Sequence, residues 1–147
     1  MVFDKKTVNL EPKQRTKAQV FYFASMEETL KFHFSREENE ERTKLLPDSD
    51  RYIYIGEIEV EGTDEEVSDV IYAQLQAGTG MENLDFIQKH QKEIRQAQRT
   101  SMCVGDVLLF TESCEVVDSV GFLPIYNYDF INGLKKLASK NIGLELI

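Results

Sequence analysis

The stretch RYIYIGEIEV, residues 51–60, alternates with the two-residue period of a β-strand. Tyr52, Tyr54, Ile58 and Val60 fall on one predicted face, and Ile53, Ile55, Glu57, Glu59 and Glu61 on the other, which turns from apolar to acidic partway along. The alternation predicts Tyr54, Ile58 and Val60 in a core and Glu57, Glu59 and Glu61 in solvent. Gly62 breaks the strand. Upstream, AQVFYFA (18–24) is apolar on both faces and rich in aromatic and β-branched residues, which predicts a strand inside the sheet. The polar, basic residues 1–17 read as a flexible basic arm, leaving 18–147 as a single domain.

Helix signals separate these strands and follow them. Ser25 with Glu28, Ser35 with Glu38, and Thr63 with Glu66 have capping-box spacing. After Thr63, the residues Val67, Val70, Ile71 and Leu75 form one stripe, and Gly78 is the predicted stop. A further helix is predicted over Leu84–Gln98, with Leu84, Ile87, Ile94 and Ala97 inward. VGDVLLF, a turn at 111–113, CEVVDS, a break at Gly121 and FLPIY predict β-structure. A last helix is expected near Asp129–Lys140, and the IGLELI that ends the sequence (142–147) reads as a short strand that joins this sheet or another subunit. The order, with strands collected late, predicts an α+β fold: a mainly antiparallel sheet with helices packed on it.

The 147 residues are 41% hydrophobic and 29% charged, as in one globular domain, and no apolar run approaches the roughly 18 residues of a membrane span. The net charge of −9 argues against a general nucleic-acid binder. The imbalance lies in residues 25–69, which hold fifteen acids against five bases. Such a segment is either a solvated face or a surface for a basic partner. Cys103 and Cys114 lack CxxC spacing, and MVFDKK lacks the apolar stretch of a secretory signal, so free thiols and a cytoplasmic location are expected.

Chemistry-bearing constellations are sparse. Nucleophilic catalysis would need Cys103 beside His33 or His90, and the same residues with Cys114 lack the short ligand pair of a structural zinc site. Gly78-x-Gly80 does not continue into a phosphate-binding motif, and Glu37, Glu38, Glu40 and Glu41 sit on a solvated helix where no general acid arises. No catalytic residue, metal ligand or cofactor is assigned, and the chain is not expected to be an enzyme.

The most specific stretch joins Arg99, Ser101, Met102, Val104, Gly105, Asp106 and Val107 to Val117, Asp118, Ser119, Gly121 and Phe122. This pattern resembles the YodL-like domain family of plasmid, conjugative-element and phage proteins, and loosely spans residues 51–125. Cys103 departs from it, standing where a small polar residue is usual. The resemblance implies a mobile-element context and no particular reaction. A fainter similarity, to small β-barrel RNA-binding domains of the PUA and ASCH type, would place Lys89, Lys92, Arg95 and Arg99 on a nucleic-acid face.

Two functions follow as expectations. In the first, Glu57, Glu59 and Glu61, with Glu37, Glu38, Glu40 and Glu41, bind a basic protein, such as a nuclease or defence complex, by imitating nucleic acid. Alternate strand glutamates recur at about 6.6 Å, twice the roughly 3.4 Å phosphate spacing along one DNA strand. In the second, Lys89, Lys92, Arg95 and Arg99 bind nucleic acid directly. Oligomeric state is left open.

Overall fold

The computed structural model of the chain describes residues 14–146. Five strands form one sheet in the order β2-β1-β3-β4-β5: β1 (Arg15–Phe23), β2 (Tyr52–Glu61), β3 (Val107–Leu109), β4 (Cys114–Val117) and β5 (Phe122–Pro124). Every neighbouring pair is antiparallel. The helices are α1 (Met26–His33), α2 (Asn39–Thr43), α3 (Asp64–Gln74), α4 (Leu84–Lys89), α5 (Gln91–Gln96) and α6 (Tyr128–Leu146), with a 3-10 turn at Ser49–Arg51. This is the α+β architecture expected, as a single domain. No helix among the described residues is long and apolar enough to cross a membrane.

The core is two apolar layers on either side of β1, which explains why residues 20–23 are buried on both faces. One layer gathers Val20 and Tyr22 with Ile58, Val67, Ile71 and Ile94, under α3 to α5. The other gathers Phe21 and Phe23 with Phe32, Val107, Val116 and Leu134, under α1 and α6.

β2 corrects the face assignment. Its register on β1 shifts between Val20, opposite Gly56, and Phe21, opposite Tyr54, so Ile55 is an extra residue in a β-bulge. The bulge inverts the alternation. Ile53 and Ile55 therefore share the first layer with Ile58 and Val60, while Tyr52 and Tyr54 share the face of Glu57, Glu59 and Glu61. Ile58 and Val60 are buried, Tyr54 is half-buried, and the three glutamates are exposed. Gly56 sits at the kink because the His90 ring lies on it: a Cβ there would come within 2.6 Å of His90 Nδ1.

The same ring explains why the helix expected over Leu84–Gln98 is two. His90 leaves helical geometry (φ −109°, ψ 21°), and α5 restarts from its carbonyl, which accepts the Ile94 N–H. The break lets the ring reach Gly56 and pack 4.5 Å from Phe86. Phe86 is buried, while Leu84, expected inward, is exposed.

Two boundaries and two helix caps also differ. β1 begins at Arg15, so Arg15 to Lys17 belong to the sheet, and residues 1–13 of the expected arm lie outside the described residues. Helices start after Ser25 and Thr63 as predicted, but neither side chain caps: Thr63 Oγ1 donates to Glu66 Oε1 at 3.0 Å. Finally, α6 continues through Leu146 where a strand was expected, because Leu-Glu-Leu after Gly143 are good helix formers with no proline to stop them.

Candidate functional site

The Val-Gly-Asp-Val motif builds a buried ionic node. Gly105 has φ +98°, a conformation glycine adopts without strain. Its N–H donates to the Val117 carbonyl at 2.9 Å, and its own carbonyl accepts the Tyr52 hydroxyl at 2.8 Å. The turn points Asp106 inward, where its side chain is fully buried. The carboxylate accepts the Phe23 N–H at 3.1 Å, the Cys103 N–H at 2.7 Å, and both terminal nitrogens of Arg99. Arg99 stacks over the rings of Phe23 (4.2 Å) and Tyr22 (5.0 Å). Burial raises the Asp106 carboxyl to about 7, against the opposing pull of Arg99 and the two amides. Arg99 is thereby removed from the expected nucleic-acid face: its guanidinium is a cross-tie between β1 and the motif loop. Lys89, Lys92 and Arg95 remain exposed on α4 and α5.

The acidic residues separate into two patches. Glu37, Glu38, Glu40 and Glu41 are exposed in and before α2, which packs beside β5 and is tied there by Arg42, 2.9 Å from Asp118. Glu57, Glu59 and Glu61 line β2, the opposite edge strand, four strand spacings or roughly 19 Å away. One continuous acidic surface does not form. Within the β2 patch, Lys17 lies opposite Glu59, and Arg15 Nε is 3.3 Å from Glu59 while its Nη1 is 3.7 Å from Glu61.

The phase of the β1–β2 ladder matters here. The Gly62 N–H donates to the Gln14 carbonyl at 2.9 Å. Hydrogen-bonded and non-hydrogen-bonded pairs alternate along an antiparallel ladder, so Val60 and Ile58 turn their main-chain groups to β1. Glu57 and Glu59 turn theirs away, onto the sheet edge, where the Glu59 carbonyl accepts Arg15 Nη2 at 3.4 Å. Among the described residues β2 pairs with β1 alone. The alternation was legible in the sequence; the edge position was not.

The nucleophile candidates stay apart in role. Cys103 and Cys114 are free thiols, with Cys103 Sγ 3.6 Å from the Ser101 carbonyl. His33 packs edge-on against Phe34, while His90 serves the β2 kink. Burial pushes the Cys114 thiol up to about 12, with Glu115 adding to the rise and Lys135 opposing it. No group of three His, Cys, Asp or Glu residues among the described residues has metal-binding geometry.

Sequence reasoning missed a cleft of about 450 Å³ between the β3–β4 turn and the start of α6, with Leu109, Cys114, Ile125 and Ile131 in its lining. Tyr126 and Tyr128 stand at its wall, and nothing in their spacing marked them. No family model, curated protein or solved structure matches the chain.

Proposed function

We propose that the chain is a non-enzymatic binding module that takes up an extended, lysine- or arginine-bearing segment of a protein partner as a sixth strand on β2. The observation that carries this reading is the edge of β2, where Glu57 and Glu59 turn their main-chain groups outward and their carboxylates recur at alternate positions. An added strand gains ladder hydrogen bonds from the backbone and cross-strand ion pairs from basic residues beside the glutamates. A second copy of the chain is disfavoured as occupant, because two β2 edges would bring glutamates against glutamates. The sequence resemblance suggests the setting: a cytoplasmic accessory protein of a mobile genetic element that holds a basic segment of a host nucleic-acid-handling or defence protein. The glutamate row of one edge, rather than the whole acidic segment, carries the recognition. The nucleic-acid-binding alternative retains Lys89, Lys92 and Arg95 but loses Arg99.

A synthetic peptide alternating lysine and threonine tests this reading. It should bind and slow amide exchange at Glu57 and Glu59, with affinity falling as salt rises. The Glu57→Gln, Glu59→Gln, Glu61→Gln variant should keep its fold and bind about tenfold more weakly, since exposed cross-strand pairs are worth roughly 0.2–1 kcal/mol each. Unchanged amide exchange, or equal binding by the triple variant at low salt, would overturn it.

A further inference from the structure

The cleft between the β3–β4 turn and α6 has no residue of β2 in its lining. Its volume of about 450 Å³ falls within the roughly 300–1,000 Å³ of small-molecule sites. Leu109, Cys114 and Ile125 are buried and carry no charge. Tyr126 and Tyr128, beside the cleft, are 65% and 80% exposed, large aromatic surfaces left in water.

Three charged side chains border the cleft, and they are not equivalent. Glu115 is turned to the other side of the sheet, where its carboxylate accepts the Ser68 hydroxyl of α3. Glu112 lies exposed in the β3–β4 turn. Lys135 projects from α6, is exposed, and lines the cleft together with Leu109, Cys114 and Ile125. Lys135 makes no ion pair among the described residues. Lys17 and Glu57 line the adjoining cleft, which shares Leu109, Phe110, Thr111 and Lys135 with this one. An apolar floor, an aromatic wall and a cation that makes no ion pair among the described residues together complement a flat or compact apolar body bearing one anionic group.

We infer that this cleft binds a small organic carboxylate, with its apolar body between Ile125 and Ile131 and its carboxylate on Lys135. The probe pair is 2-naphthoate and its neutral amide, 2-naphthamide, titrated into the whole chain by NMR. Naphthoate should shift resonances of Leu109, Cys114, Ile125 and Ile131 in a saturable manner and bind about five- to tenfold more tightly than naphthamide. Lys135→Met, at an exposed helix position, should leave the melting temperature and naphthamide binding unchanged while reducing naphthoate to the amide's affinity. Equal affinity for the two probes in the wild-type chain overturns the inference. So does a carboxylate preference that survives Lys135→Met, a set of shifts elsewhere on the chain, or no saturable binding at millimolar probe.

Discussion

Asp106→Ala is expected to lower the unfolding free energy by about 3–5 kcal/mol, the cost typical of removing one partner from a buried ion pair. Three donors lose their acceptor at once: the Arg99 guanidinium and the N–H groups of Phe23 and Cys103. Arg99 is held between the β1 rings and the motif loop, with a side chain only 12% exposed, so water replaces the carboxylate poorly. A domain's total stability is of order 5–15 kcal/mol, so the variant should unfold at much lower urea. A loss below about 1 kcal/mol in urea melts would show that the node is not a stabilising element.

The node also predicts a pH dependence with a definite sign. Asp106 titrates near 7 in the folded chain because of burial, and near 3.9 when unfolded. Between those values the folded state holds the extra proton, so the contribution of this group to stability is fully present below about pH 4 and is lost as pH rises through 7. Comparing melts of the wild-type chain and Asp106→Asn across that window isolates the effect, because both share every other titrating group. The two predictions do not conflict. Burying the carboxylate is unfavourable in itself, yet once Arg99 is buried beside it, removal leaves that charge without a counter-ion, with the Ser101 carbonyl still accepting Arg99 Nη2 at 3.1 Å.

What was legible in the sequence was whatever depends on local periodicity. β1 announced itself by apolar residues on both faces, and Val67, Ile71 and Leu75 by helical spacing; these are buried, while Val70, expected on the same stripe, is exposed. What was illegible arose from contacts distant in sequence. The bulge at Ile55 leaves composition untouched while reversing the faces of Tyr52 and Tyr54, and its cause, the His90 ring on Gly56, lies 34 residues away. Likewise, the acidic run of residues 25–69 is continuous only along the chain: it passes from α2 at one sheet edge to β2 at the other. Arg99 looked like a surface cation because nothing local distinguishes it from Lys92 and Arg95, and only Asp106, brought under it by the Gly105 turn, redefines it.

The seating of α6, which forms one wall of the cleft, depends on Gly133. A Cβ added there would overlap Ser49 Oγ and stand 2.7 Å from Ser49 Cβ, so the missing side chain is what lets the 3-10 turn before β2 press against the helix. In a free helix Gly→Ala would stabilise by about 0.8–1 kcal/mol. Here the overlap involves the Ser49 Cβ, which is fixed to the backbone, and rotation of the hydroxyl does not relieve it. Overpacking of this kind costs about 1–3 kcal/mol, enough to reverse the helical gain. Gly133→Ala should therefore be destabilised by about 1–2 kcal/mol, and adding Ser49→Gly, which clears the space, should recover most of that loss. The coupling between the two sites, read from a double-mutant cycle of urea melts, should be at least about 1 kcal/mol. Because Ile131, Asn132 and Lys135 flank Gly133 on the same helix, the single variant should also weaken 2-naphthoate binding and the double variant restore it. If Gly133→Ala alone stabilises the chain, α6 does not rest on Ser49, and its position over the cleft must be set by the Leu134 and Ala138 contacts with the second apolar layer instead.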